Sequence, residues 1–153
     1  MTEGEKTRLI AWSEELRAVH GRLREALALT QDALASGESP DRDLLLFCHG
    51  FCTALTRHHE GEDRELFPAI AEAHPELRDT LRKLEQDHSM IGHLISGLQA
   101  ATASAASPDE LARHVEGIAA IMESHFRYEE RQLLSVLETL ALDADPGRVL
   151  GPL

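Results

Sequence analysis

Six residues of the sequence have the types and the spacing of a metal site. Four are histidines and two are glutamates, each of which follows a histidine by four residues: His20, His58, Glu62, His88, His125 and Glu129. Residues four apart lie one turn apart on the same face of an α-helix. Imidazole nitrogens bind iron, zinc, copper or nickel, and carboxylate oxygens favour harder ions, so a mixed set is compatible with iron or manganese.

Four predicted helices must position these residues. Breaks rich in Pro, Gly and Ser divide the chain into four periodic segments, roughly 5–36, 41–73, 75–104 and 108–141. Short connections between four helices favour an all-α fold, an antiparallel up-down-up-down four-helix bundle. Pro68 predicts a kink or a break late in the second helix.

The ends of the predicted helices carry recognisable signals. Pro40, Pro75 and Pro108 suit the first turn of a helix, where a missing N–H is tolerated. Ser39 and Ser107 stand directly before two of these prolines and are predicted N-caps.

Each predicted helix has a stripe of apolar residues spaced by three and four, which indicates its inward face. The stripes comprise Leu9, Leu16, Leu23, Leu27 and Leu34; Leu44, Phe51, Leu55 and Leu66; Leu77, Leu81, Leu84, Ile91, Ile95 and Leu98; and Leu111, Val115, Ile118, Met122, Leu133, Val136 and Leu140. The six histidines and glutamates fall within these stripes, near the middle of each helix.

The six residues also follow an internal repeat. The stretch from His58 to Phe67 recurs 67 residues later from His125 to Leu134, and His20 recurs 68 residues later as His88. The chain is therefore interpreted as two helical hairpins that converge with pseudo-twofold symmetry on the bundle axis.

Buried imidazoles and carboxylates need a partner, because an unsatisfied buried polar group costs about 1–3 kcal/mol and a buried charge costs more. A metal would satisfy all six, and a metal-free network of hydrogen bonds is the alternative. The pseudo-twofold pattern favours two ions bridged by Glu62 and Glu129, with two imidazoles on each ion. Coordination positions would then stay open for water, oxygen or peroxide.

This order of residues resembles the hemerythrin-like (HHE cation-binding) family, over about residues 9–140. The stretch HHEGEDRELFP, residues 58–68, is close to the family's most typical motif. The resemblance implies a hemerythrin-like bundle with a non-haem di-iron centre. It also implies that the ligands are His20, His58, Glu62, His88, His125 and Glu129, with the two glutamates bridging.

The sequence departs from the oxygen-carrying hemerythrins. Gly92 stands where they have a fifth histidine, and His125-x-x-x-Glu129 replaces their His-x-x-x-x-Asp. The pattern is similar to that of four-histidine bacterial hemerythrin-like proteins. The implied function is the binding of oxygen or a related small oxidant, for sensing, scavenging or storage, with nitric oxide as a further ligand. A peroxide-decomposing, catalase-like enzyme and a zinc- or manganese-binding structural module are the alternatives.

Several other polar residues are candidates for the neighbourhood of the site. His59 adjoins His58 and could support it, and His93 would reach the metal only through a π-bulge. Asp63 and Glu130 are alternative carboxylates, but each is rotated by about 100° from the stripe residue before it.

The remaining histidines and the cysteines are assigned no metal role. His114 is expected to be a hydrogen-bonded core histidine, and His49 and His74 are expected at the surface. Cys48 and Cys52 are four residues apart, which matches no CxxC motif, and are interpreted as small buried hydrophobes with a redox role as the alternative.

The composition bounds the remaining functional classes. The chain has 153 residues, 42% hydrophobic and 27% charged, which fits a single domain over 1–153 with the bundle at about 5–141 and a tail at 142–153 that packs over one end. The net charge of −12 argues against a nucleic-acid surface. The N-terminus does not resemble a signal peptide, and no apolar run is long enough for a membrane helix. A cytoplasmic location is therefore expected.

Overall fold

The computed structural model describes residues 10–35 and 42–151, with the backbone alone for 42–47. The elements are α1 (Trp12–Ala35), α2 (Arg42–Gly61), a π-helical turn (Glu62–Leu66), α3 (Phe67–Ala73), a 3-10 turn (Pro75–Leu77), α4 (Arg78–Ala103), α5 (Pro108–Leu137) and α6 (Pro146–Leu150). These described residues form no strand, so the prediction of an all-α fold is confirmed.

The long helices pack around one hydrophobic core. Helix α1 contacts α2 and α5, and α4 contacts the same two helices from the other side. The predicted stripe residues whose side chains are described are buried, except for Leu77 and Val136, which are partly buried. Leu9 and the side chain of Leu44 lie outside the described residues. Trp12, Phe67 and Phe126 add large, fully buried rings that the stripes did not include.

The helix ends agree with the predicted signals in part. Ser107 caps α5, because its hydroxyl oxygen accepts a hydrogen bond of 3.2 Å from the Glu110 N–H. The predicted cap at Ser39 lies outside the described residues. The predicted first and last segments were too long: residues 10 and 11 precede α1, and α5 ends at Leu137, before a turn.

The irregularity predicted near Pro68 takes the form of the π-helical turn directly before it. Pro68 has no N–H to donate to the carbonyl group of Arg64, so regular α-helical bonding cannot continue there. The Phe67 N–H donates instead to the carbonyl oxygen of Glu62, five residues back. The helix is therefore widened at Glu62 and continues as α3.

The residues after α5 fold back over the bundle. The Trp12 Nε1–H donates to the Leu142 carbonyl oxygen at 3.0 Å, and α6 contacts α1, α2 and the π-helical turn. Val149 and Leu150 are fully buried, so the described part of the predicted tail, residues 142–151, packs against the bundle. Each helix of the described part of the chain is too short or too polar to cross a lipid bilayer.

Candidate metal centre

The bundle gathers all six sequence-predicted residues into one buried cluster. His20 lies on α1, His58 on α2, Glu62 in the π-helical turn, His88 on α4, and His125 and Glu129 on α5. None of the six is more than 6% exposed, so bulk water does not reach their polar atoms. The cluster lies where these five elements meet, as the repeat predicted.

The cluster divides into two groups that could each hold a metal ion. The donor atoms of each group lie within 4.8 Å of one another, and Glu62 belongs to both. The three-histidine group consists of His59, His88, His125 and Glu62. The two-histidine group consists of His20, His58, Glu62 and Glu129.

Both buried glutamates reach both groups. Glu62 Oε1 lies 3.3 Å from His58 Nε2 and 3.4 Å from His88 Nε2. Glu129 directs Oε1 towards His20 Nε2, at 3.5 Å, and Oε2 towards His125 Nε2, at 3.2 Å. Each carboxylate therefore stands between the two groups, in the position of a bridge.

Four of the histidines are oriented by a bond at the ring nitrogen that faces away from the cluster. A carboxylate or carbonyl oxygen can only accept, so the Nδ1–H of the ring donates and Nε2 is left to face inward. The pairs are His20 with Glu130 (3.1 Å), His58 with the Leu150 main-chain oxygen (2.7 Å), His88 with Asp63 (2.8 Å) and His125 with Asp87 (3.1 Å). This is the arrangement by which proteins hold metal-binding imidazoles.

The inward-facing atoms lack the partners that buried polar atoms require. Seven of them have no hydrogen-bond partner: Nε2 of His20, His58 and His59 and both carboxylate oxygens of Glu62 and Glu129. Such groups normally find partners inside proteins, and one that does not costs about 1–3 kcal/mol. All are ligand atoms, so a metal fits this set.

A contact between two rings supports the same conclusion. Nε2 of His88 lies 3.1 Å from Nε2 of His125, and each ring donates its Nδ1 proton to a carboxylate. In their neutral forms the two rings would therefore point lone pairs at each other. A cation bound to both nitrogens removes this repulsion.

The acid–base properties of the cluster match a metal site that holds protons when it holds no metal. Burial, followed by the charge of Glu129, raises the pKa of Glu62 well above its usual range. Burial opposes the ionisation of Glu129, but contacts with Glu62 and two histidines hold its pKa well below the usual range. One proton and one negative charge are therefore divided unequally between the glutamates.

Four histidines of the cluster also fall into two sets, one with lowered and one with raised pKa values. Burial and the nearby imidazole of His20 lower the pKa of His58 to about 3, and burial lowers that of His59 well below its usual value. Burial also disfavours charge on His20 and His125, but contacts with Glu129 raise both pKa values above 6.5. His58 and His59 are therefore neutral rings with free lone pairs.

His59 is the residue that the stripe pattern did not include. Neighbours in a helix point about 100° apart, so only His58 was placed inward. The structure buries both because α2 is covered on two sides. The His59 ring stacks on His88 of α4 at 3.9 Å between centroids, and His58 bonds to α6. The adjacent histidines, His58 and His59, were the signal that the sequence offered. That both are buried depends on α6, which covers the side of α2 that carries His58.

The other candidates lie outside the two groups. Asp63 and Glu130 do not join the cluster but bind His88 and His20, and Glu130 also accepts from Arg24 at 3.1 Å. His93 is exposed on α4. Asp87, which holds His125, was missed because it lies one position before the stripe on α4.

The expectation for His114 was wrong. It is exposed and lies beside Gly97 of α4, because Val115 takes the inward position on α5. His49 is exposed, as expected, and His74 is partly buried with a 3.3 Å contact to Glu76.

The two cysteines are buried free thiols, as their interpretation as small hydrophobes requires. Each is only 1% exposed. Burial, with the neighbouring Cys48, raises the pKa of Cys52 to about 12, so this thiol stays protonated. A protonated, buried thiol is a poor nucleophile.

Comparison with known proteins agrees with this geometry. Residues 13–137 match the family model of the hemerythrin HHE cation-binding domain, which spans α1 to α5. No functionally curated protein and no solved structure matches the chain. The match covers most of the sequence and every residue of the two groups that could hold a metal. The chain therefore belongs to the hemerythrin HHE cation-binding domain family.

Proposed function

We propose that this protein is a non-haem di-iron protein that binds oxygen or a related small oxidant, such as peroxide or nitric oxide. The observation that carries the proposal is the division of the cluster into two four-residue groups that share Glu62. One iron would be held by His59, His88 and His125 and the other by His20 and His58, with Glu62 and Glu129 bridging. The iron pair would supply a reversible change of oxidation state beside open coordination positions.

The proposed bundle is antiparallel and runs up-down-up-down. Only residues 104–107 separate α4 from α5, and these two helices pack against each other. So short a connection between packed helices favours antiparallel neighbours. The arrangement brings the middles of the helices to one level, which the convergence of the six residues requires.

Iron is preferred to zinc because of the composition and spacing of the donors. Imidazole suits both metals, but structural zinc normally takes four ligands in a tetrahedron. The two groups together offer five imidazoles, and each glutamate lies within 3.5 Å of imidazoles of both groups, so two bound ions would find more donors than two tetrahedral zinc ions take.

The two-histidine group is the better place for an incoming oxidant, because it offers one imidazole fewer. Its outer wall is apolar: the Phe126 ring stacks on His20 at 3.8 Å between centroids and stands edge-on to His58 at 6.0 Å. Phe126, His20 and His58 are fully buried, so bulk water is excluded from the two-histidine group. Glu130 and the Leu150 carbonyl oxygen accept hydrogen bonds from Nδ1 of His20 and His58 and so fix the orientation of these two rings.

The test is the metal content and visible absorption of protein purified from iron-replete cells. We expect about two irons per chain, with absorption bands of a bridged ferric pair that respond to oxygen, peroxide or nitric oxide. His58→Ala should lose one iron and these bands, while His93→Ala, which alters an exposed histidine, should keep both. Zinc in place of iron, or no metal in either protein, would refute the redox function.

The same preparation separates binding from catalysis. A catalase-like enzyme would decompose peroxide faster than an equal concentration of free iron. Turnover no faster than that of free iron, together with a reversible spectral change, would leave the binding of a small oxidant as the function.

A further inference from the structure

Of the four histidines that are oriented by a hydrogen bond, one is held differently from the other three. His20, His88 and His125 each donate from Nδ1 to a carboxylate side chain, whereas His58 donates to the main-chain oxygen of Leu150. This bond is buried and, at 2.7 Å, is the shortest of the four. The orientation of His58 therefore depends on the chain beyond α5, residues 142–151, which we call the C-terminal strap.

Two glycines allow the strap to come this close. A Cβ atom at Gly61 would overlap the carbonyl group of Val149, so only glycine lets the strap pass over the end of α2. Gly151 has a φ of 97° and lies against the main chain of His58, where an added Cβ would be 3.2 Å from the His58 nitrogen. A side chain is strained at such a φ.

The strap has few other attachments that could fix it independently. At the beginning of the strap, the Trp12 Nε1–H donates to the Leu142 carbonyl oxygen. Further along, the Arg148 side chain, which is 60% exposed, pairs with Glu65 at 3.3 Å. An exposed ion pair of this kind contributes about 0–1 kcal/mol. Burial of Val149 and Leu150 and the bond to His58 therefore provide much of the docking.

We infer that the Leu150 carbonyl group is a positioning group of the metal centre, and that docking of the strap is coupled to metal binding by the two-histidine group. The inference rests on the proposed function, since it requires a metal at His58. A cation bound at Nε2 draws electron density from the ring and makes Nδ1–H a stronger donor to Leu150. By reciprocity, a docked strap strengthens metal binding as much as the metal strengthens docking.

The expected size of the coupling follows from other metal sites. Loss of the group that holds a metal-binding histidine typically weakens metal affinity by about 10–100-fold. The same factor should apply to the equilibrium between docked and undocked strap. Only the two-histidine group should respond, because His59, His88 and His125 make no hydrogen bond to the strap among the described residues.

Cleavage by trypsin after Arg148 measures undocking. Val149 and Leu150, which follow the cleaved bond, are fully buried, so the protease can reach this bond only when the strap is released. The purified chain would be digested with and without two equivalents of Fe(II) under anaerobic conditions, and cleavage at Arg148 followed by intact mass. We expect cleavage about 10–100-fold slower in the iron-loaded protein, where it tracks the open population.

Gly61→Ala and its matched control test the positioning role. Gly50 lies on the same helix, and a Cβ there would meet nothing within 4 Å, so Gly50→Ala should behave as wild type. Gly61→Ala should bind one iron with unchanged affinity and the other about 10–100-fold more weakly, with rapid cleavage at Arg148 whether iron is present or not. Gly151→Ala, which strains the strap itself, should show the same selective loss and replaces Gly61→Ala if that variant does not fold.

The outcomes separate this inference from the proposed function. If the wild type bound two irons but was cleaved at Arg148 equally fast with and without them, the coupling would be refuted and the di-iron centre would stand. Equal weakening of both irons in Gly61→Ala and Gly151→Ala would also refute it, since that is the sign of a general loss of structure. If the wild type bound no iron, the proposed function would fail and the inference with it.

Discussion

His59 and Phe126 occupy equivalent positions in the two helical hairpins, 67 residues apart, and each stacks on a histidine of the cluster from a neighbouring helix. His59 lies on His88 with ring centroids 3.9 Å apart and planes at 13°, and Phe126 lies on His20 at 3.8 Å and 5°. The other donors repeat between the hairpins, so this pair is where the pseudo-twofold symmetry is broken. It divides five imidazoles into groups of three and two.

Replacing His59 with phenylalanine should make the two groups alike. The stack on His88 is kept, but the three-histidine group loses one imidazole, so one of two irons should bind more weakly. We expect a loss of more than about 100-fold, because even the outer partners of ligands are worth about 10–100-fold. A metal titration of His59→Phe beside His93→Ala measures this. Two irons bound as tightly as in the wild type would exclude His59 as a ligand.

Asp63 should contribute to metal binding without touching the metal, since it holds the Nδ1 of His88 at 2.8 Å. Asp63→Ala should weaken binding by about 10–100-fold. Asp79→Ala removes a carboxylate that is 93% exposed and should have no effect. Equal affinities in the two variants, measured by competition with a chelator, would show that Asp63 does not position His88.

The stabilisation by iron should increase with pH. Although burial alone would lower them, contacts with Glu129 raise the pKa values of His20 and His125 above 6.5, their value in the unfolded chain. This contribution to metal-free stability is complete below that pH and is lost as the pH rises through the folded-state values. Iron must displace the same protons, so the iron-induced rise in Tm should be larger at about pH 8 than at about pH 6. An equal iron-induced rise in Tm at the two pH values would contradict this prediction.

The cap of α5 should have a measurable effect on stability. Ser107→Ala removes the hydroxyl that accepts from the Glu110 N–H, and such losses cost about 0.5–2 kcal/mol in the free energy of unfolding. Ser135→Ala, at an exposed position of the same helix, should change stability little. Urea denaturation compares the two, and a Ser107→Ala midpoint equal to wild type would show that the cap contributes nothing.

Much of the fold and the cluster could be predicted because both follow from helical periodicity. A stripe such as Leu81, Leu84 and Ile91 fixes which side of α4 is inward, and His88 lies in it. Helical periodicity does not indicate burial that is caused by a distant part of the chain. His58 and His59 are both buried because α6 covers α2 at His58 while His88 of α4 covers it at His59, and no local pattern records that.

The bonds that orient the histidines show the same limit. Asp63 and Glu130 were placed about 100° off the stripe, which is where a side chain can reach an imidazole on the next helix. Their partners, His88 and His20, depend on which helices are neighbours. The role of Leu150 could not be predicted, because it is played by a main-chain oxygen whose position depends on Gly61 and Gly151.

The most direct test is the anomalous electron density of iron in crystals of the iron-loaded protein. We predict two peaks per chain, one bound by Nε2 of His59, His88 and His125 and the other by Nε2 of His20 and His58, with Glu62 and Glu129 between them. A single peak, or a pair of peaks that leaves His59 unbound, would contradict the division of the site into three and two histidines.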